Sequence, residues 1–174
     1  MDANFAASLK AVLESEGGND DDPQDHGGRT SRGITQREYD AWRREKGMLT
    51  QDVWKAPDSD IAMIYHDEYW RPWCDGMPMG VDYLFFDMSV NGGPGRAIVL
   101  LQRALGLNAD GRIGPVTRQA IASANPKDLI QKFSSIKADW YRSLHQPRFI
   151  NGWLNRTASV RATALAMLQK GSTK

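Results

Sequence analysis

Apolar residues recur along this chain with the period of a helix almost everywhere. Over residues 4–16, Phe5, Leu9, Val12 and Leu13 stand at i, i+4, i+7 and i+8, one face at 3.6 residues per turn. Asp2 occupies the N-cap position, and Gly17 and Gly18 follow where a positive φ ends a helix at little cost. Thr35 and Glu38 have the spacing of a capping box ahead of Tyr39 and Trp42, and Gly47 stops that helix. A short helical turn is expected over residues 50–55, near Pro57. Ser59 is then expected to cap a segment through Arg71, with Ile61, Ile64, Tyr65 and Tyr69 on one side. Val81, Leu84, Phe85 and Met88 mark the next helix, which ends at VNGGPG. Further helices are expected over residues 96–105, 115–124, 127–144 and 150–170, with Leu129, Phe133, Ile136 and Trp140 facing inward in the third of these. Period-two alternation is unconvincing except for one small hairpin near residues 28–36. The pattern predicts an all-α fold.

One stretch breaks the rhythm. ESEGGNDDDPQDHGGRTSRGIT, residues 14–35, carries six carboxylates, five glycines and one large apolar residue, Ile34. Glu16 lies four residues after Val12 and three after Leu13, in the middle of the apolar stripe, whereas Glu14 falls on the opposite side. Burial and the negative end of the helix dipole both disfavour a charged carboxylate there, so the pKa of Glu16 is expected to rise. A carboxylic acid that keeps its proton near neutral pH is what a glycosidase needs to protonate a leaving oxygen. Asp22 and Asp25 follow as candidates for a second group, with glycine turns and the hydroxyls of Thr30, Ser31 and Thr35 close behind.

Composition narrows the alternatives. A chain of 174 residues with 41% hydrophobic and 25% charged residues can bury an ordinary globular core. Cys74 is the single cysteine, so no internal disulfide forms, and no HExxH or paired Cys/His spacing offers a zinc site. Asp20, Asp22 and Gln24 alternate like calcium ligands, but Asp25 and Ser31 occupy the sixth and twelfth positions, where such a loop wants Gly and Glu. No metal or cofactor is expected. No apolar run has the length of a signal peptide or membrane span. Net charge is +1 but uneven: residues 127–174 hold nine Lys/Arg against two Asp, a net +7, leaving −6 on the rest. Such a basic end suits an anionic cell envelope.

Glu16-Gly17-Gly18, Asp22-Pro23, Asp25, Gly27-Gly28, Thr30 and Gly33-Ile34-Thr35 together resemble glycoside hydrolase family 108, a family of N-acetylmuramidases. Asn19 departs from the tyrosine usual there. The order Glu16, Asp25, then Thr30 or Ser31 is also similar to the phage-type lysozyme pattern. Leu101-Gln102, Leu105-Gly106, Asp110-Gly111, Ile113-Gly114-Pro115 and Thr117 resemble peptidoglycan-binding repeats.

The resemblance implies a lysozyme-like region over residues 1–92 and a peptidoglycan-binding-like helical region over 93–174, packed as one compact body. It implies hydrolysis of the β-1,4 bond between N-acetylmuramic acid and N-acetylglucosamine. Glu16, Asp25 and Thr30 would be catalytic. Asp22, Ser31, Tyr69, Trp70, Asp87 and Asn91 would contact substrate. A lytic transglycosylase and a non-catalytic wall-binding protein are the competing classes. The expected partner is bacterial peptidoglycan, with no nucleic acid, and the expected state is a monomer. The expected context is a phage endolysin held in the host cytoplasm before release to the wall.

Overall fold

The computed structural model describes residues 3–16, 18–20 and 29–171, with residues 3, 16, 19 and 20 described by their backbone. The chain divides into two units, Met1–Pro72 and Trp73–Lys174. The eight α-helices and three two-residue strands among the described residues make the fold α-dominated. The sequence places a regional boundary after residue 92, whereas the helix over residues 81–92 belongs with the second unit.

The first unit begins with α1, Ala3–Glu16. Its apolar stripe is buried at Phe5, Leu9 and Val12, and the Phe5 ring meets His66 and Trp70 edge-on at 5.0 and 5.4 Å. Three strands follow: β1 (Asn19–Asp20), β2 (Thr30–Ser31) and β3 (Ile34–Thr35). They form one antiparallel sheet in the order β1-β2-β3. The predicted hairpin is thus present as β2–β3, while β1 was not foreseen because two polar residues carry no alternation signal. Arg32 and Gly33 join β2 to β3 with φ of 50° and 81°. Two successive positive φ values match the twist of a two-residue hairpin.

The helix α2, Gln36–Glu45, starts at the expected capping box, in which Thr35 and Glu38 satisfy each other's backbone N–H groups. It ends in a Schellman motif: Gly47 N–H donates to Arg44 O at 3.0 Å, and Met48 N–H to Arg43 O at 2.8 Å. The turn expected over residues 50–55 is a 3₁₀ turn confined to Val53–Lys55. The next helix, α3, spans Asp58–Tyr65 and continues as a π-helical turn, His66–Trp70. Ser59 lies inside α3 and does not cap it. The N-cap is Pro57, extended at ψ 156°, and Asp58 and Asp60 complement the positive end of the helix dipole.

The second unit holds α4 (Val81–Gly92), α5 (Pro94–Ala104), α6 (Pro115–Ser123), α7 (Pro126–Ser143) and α8 (Ile150–Gly171). Helices α5, α6 and α7 each open with proline in the first turn, where its missing N–H costs nothing. The helix α4 packs against α5, α7 and α8 and is buried on every side from Val81 to Ser89. Gly80 precedes it with φ +88°, and a Cβ there would meet the Ala164 carbonyl oxygen of α8 at 2.3 Å. The inward stripe of α7 is rotated from the expected one. Leu129, Ile130, Phe133, Ser134, Lys137 and Tyr141 are buried, while Ile136 and Trp140 are only half-buried.

The Asp-Gly loop between α5 and α6 is organised by one buried side chain. Gln102 Nε2 donates to Asp110 Oδ1 at 2.7 Å, to Arg112 O at 3.0 Å and to Thr117 Oγ1 at 3.2 Å. Its Oε1 accepts from Gly111 N–H at 2.9 Å. The hydrogen bond from Gln102, joined by the backbone N–H of Arg112, holds the Asp110 carboxyl below its ordinary value.

Candidate active site

Glu16 is the last residue of α1, where the four terminal carbonyls of a helix lack intrahelical partners. The chain then returns on itself at once. Asn19 pairs with Ser31 and Asp20 with Thr30, and Arg32 N–H donates to Gly18 O at 3.1 Å. Directly opposed Cα atoms in antiparallel strands lie about 4.5–5.5 Å apart. Asp20 and Thr30 are therefore close together at either side of the sequence segment that contains Asp22 and Asp25. Those two aspartates lie outside the described residues, as do Asp2 and Gly17. The geometry that can be read is the frame of the site: a helix end bearing Glu16, and a small sheet that brings Thr30 back toward it.

That frame is fixed by residues the sequence analysis did not assign to the site. Trp54 Nε1 donates to Thr30 O at 3.2 Å. Arg29 lies 4.6 Å over the Trp54 ring and bonds Asp52 Oδ2 at 3.1 Å. At the hairpin turn, Arg32 Nη1 pairs with Asp58 and Nη2 donates to Ala56 O at 2.7 Å. Tyr65 Oη donates to Arg32 O at 2.9 Å. Gln36 joins α2 to the 3₁₀ turn, accepting from Val53 N–H at 2.8 Å and donating to Gln51 O at 2.8 Å. Trp54 is a large aromatic residue 37% exposed beside Thr30. Its isolation from any apolar stripe was the signal available in the sequence.

The expected substrate contacts divide. Thr30 is half-buried, but Ser31 is 1% exposed, because period-two alternation turns it to the inner side of the sheet with Ile34. Ser31 is therefore corrected from a substrate contact to an interior hydroxyl. Trp70 is 1% exposed against Phe5, so its ring offers no face to a sugar. Tyr69 remains half-buried and lines a cavity of about 230 Å³ with Ile34, Glu38, Trp42, Glu45 and Glu68. In the same unit, Tyr39 Oη donates to Asp60 Oδ2 at 2.7 Å. Burial, then the bond to Asp60, pushes the Tyr39 hydroxyl up. Burial raises Asp67, but hydrogen bonds from His66 and Lys46 outweigh it and hold that carboxyl below its ordinary value.

Asp87 is also a correction. It is 1% exposed, and both carboxylate oxygens face cations within the second unit. Lys137 Nζ, itself fully buried, pairs with Oδ2, and Arg156 Nη2 and Nε reach Oδ1 at 2.9 and 3.1 Å. Burial pulls the Lys137 ammonium down from its ordinary pKa, and Asp87 opposes that pull. Tyr141, on the next turn of α7, is pushed up to about 12 by burial and then by the Asp87 charge. Asn91 is exposed, and its Nδ2 donates to Asp87 O at 2.7 Å, a helix-end contact on α4. No group of three or more metal-ligating side chains occurs among the described residues, and no described helix is long and apolar enough to cross a membrane.

Comparison with known proteins agrees with this frame. The glycosyl hydrolase 108 family model matches residues 9–93, which span Glu16, the small sheet and Thr30. A predicted peptidoglycan domain matches residues 96–158, which span the Gln102-organised loop. A comparison with curated proteins gave no match. The solved structure of SagA from Brucella abortus is similar at 32% identity and a TM-score of 0.80, covering 94% of this chain and 95% of that one. With a glycosidase match ending where a peptidoglycan match begins, the chain belongs to the glycosyl hydrolase 108 family and acts on peptidoglycan.

Proposed function

We propose that this glycosidase is an N-acetylmuramidase that hydrolyses the β-1,4 bond from N-acetylmuramic acid to N-acetylglucosamine and serves as an endolysin. The observation that carries the reading is the placement of Glu16 at the C-terminal end of α1, directly ahead of the sheet that holds Thr30. In this reading Glu16 gives its proton to the departing glycosidic oxygen as the bond breaks. Asp25 activates or positions the attacking water, and Thr30 holds that water or the sugar. Asp22 is the competing second carboxylate, and asparagine variants of both separate them: the larger rate loss identifies the residue. The protein acts on the wall after release from the cytoplasm. Lysis of an expressing culture that waits for membrane permeabilisation supports this, and lysis without it argues against.

Two measurements test the chemistry. Glu16→Gln should lower turbidity clearing of cell walls by about 10²–10⁴-fold, the usual worth of a general acid, while Glu14→Gln should not. Mass spectrometry of digested wall should find reducing muramic ends. Anhydro ends would instead identify a transglycosylase, and wall left uncut would identify a binding protein.

A further inference from the structure

Within the second unit, the corner between α7 and α8 carries a row of aromatic rings. Trp140 meets Tyr141 at 4.8 Å between ring centres, Tyr141 stacks on Trp153 at 5.0 Å, and Trp153 stacks on Phe149 at 5.7 Å. An arginine covers each end of the row: Arg96 lies 5.2 Å over the Trp140 ring, and Arg148 lies 5.3 Å over Phe149. Tyr141 is buried, Trp140 and Trp153 are half-buried, and Phe149 is 47% exposed. Leu144, in the same inter-helix segment, is exposed too. Both arginines are exposed, and neither takes part in a salt bridge or hydrogen bond among the described residues. Asp139 is paired with Arg142 at 2.7 Å, and no Asp or Glu follows it in the chain.

These features select a partner. Apolar surface left in water adds nothing to the core, yet stacking on Trp153 holds the exposed Phe149 ring in a fixed place. A guanidinium over a ring is attracted through the ring's face, which satisfies none of its five N–H donors. Those donors fit a carboxylate. The arrangement is a row and not a pocket, so it suits a polymer lying along it, with apolar faces for the rings and anionic groups for the two ends. Peptidoglycan has this chemistry in the C–H faces of its sugars and the carboxylates of its stem peptides. Every residue of the row, from Arg96 to Trp153, lies within residues 96–158, which match a predicted peptidoglycan domain.

We propose that this row is the surface through which the second unit holds peptidoglycan, with Arg96 and Arg148 on stem-peptide carboxylates and the exposed Phe149 ring against a sugar. The proposal rests on the peptidoglycan assignment and not on the bond that is cleaved. It gives the second unit a task distinct from hydrolysis: it holds the wall while the first unit works on the glycan.

The test is co-sedimentation of the full chain with purified sacculi, before digestion releases them. Saturable binding is expected. The double variant Arg96→Gln, Arg148→Gln should bind about tenfold more weakly at an unchanged melting temperature, the sum of two exposed charge pairs. Phe149→Leu should also weaken binding, whereas Phe149→Tyr, which keeps the ring face, should not. Sacculi whose carboxylates have been amidated should bind wild type at least tenfold more weakly, a measurement that needs no variant. Wild-type affinity in the double arginine variant, or intact and amidated sacculi bound alike, overturns the proposal. Tighter binding to phosphatidylglycerol vesicles than to sacculi, lost in the same variants, assigns the row to a membrane instead and overturns it too. If wild type and every variant fail to bind sacculi, the peptidoglycan assignment of the unit fails with it. Glu16→Gln protein should keep the wild-type affinity, so a failure of the muramidase reading leaves this result standing.

Discussion

Replacing Asp87 by alanine leaves the Lys137 ammonium fully buried with no counter-ion. Arg156 loses its bonds to Asp87 too, but with 21% of its side chain exposed it stays in reach of water, whereas Lys137 at 0% does not. Breaking a buried pair by removing one partner costs about 3–5 kcal/mol, because the survivor's desolvation is no longer offset. Domains are stable by only about 5–15 kcal/mol, so this loss is a large fraction of the total. At about 2–4 °C per kcal/mol for a chain of this size, the melting temperature should fall by roughly 6–20 °C. Urea unfolding at neutral pH, followed by far-ultraviolet circular dichroism and tryptophan fluorescence, measures it. The double variant Asp87→Leu, Lys137→Met replaces both charges with apolar groups and should recover most of the loss. An Asp87→Ala cost below about 1 kcal/mol, or a double variant no more stable than the single, refutes the reasoning. A rise in KM with stability unchanged would instead return Asp87 to the role of a substrate contact.

Three further outcomes follow from the same structure. Trp54→Phe keeps a ring under Arg29 but removes the donor to Thr30 O; at about 0.5–1.5 kcal/mol for that bond, kcat on cell walls should fall roughly two- to tenfold, and an unchanged kcat argues that Trp54 does not position Thr30. Tyr141 is protonated in the folded state up to about 12 but only up to 10.0 when unfolded, so its contribution is fully present below pH 10 and is lost as pH rises toward 12. In urea titrations across that window, wild type should lose more stability than Tyr141→Phe; parallel curves would contradict this. A fragment ending at residue 95 strips α4 of α5, α7 and α8 and bares a helix buried on every side, so it should be insoluble or unfolded. A soluble, cooperatively melting fragment would show that α4 does not need those partners.

The fold was legible wherever local chemistry decides it. The Thr35–Glu38 capping box and the Pro115 start of α6 have reach of only three or four residues and stand where their residues predict, whereas α5 and α7 open on Pro94 and Pro126, ahead of the expected starts at 96 and 127. What was illegible depended on partners distant in the chain. The rotation of the α7 stripe is the clearest case. The expected stripe follows the apolar residues Leu129, Phe133, Ile136 and Trp140 and takes no account of Lys137. In the structure Asp87, 50 residues upstream, supplies the charge that lets Lys137 enter the core. A lysine in register with Leu129 and Phe133, together with an aspartate inside YLFFDMS, was the available signal of a buried pair.

The same division explains the site. The helix end that carries Glu16 and the hairpin that carries Thr30 were legible because both are local features. Ser31 and Trp70 were not, since whether a hydroxyl or an aromatic ring faces a ligand depends on what covers its other side. The clamp under the hairpin needs chain separations of 24 residues for Trp54 with Thr30 and 33 for Tyr65 with Arg32. In the proposed mechanism a misplacement of about 1 Å would cost on the order of 10²-fold, and two-residue strands cannot hold a geometry that closely alone. A sheet this short is set by its anchors: the backbone carbonyls of Thr30 and Arg32 are each held by a side chain from another element. On the proposed muramidase reading, the frame of the site therefore rests as much on Trp54, Arg29 and Tyr65 as on the acidic motif.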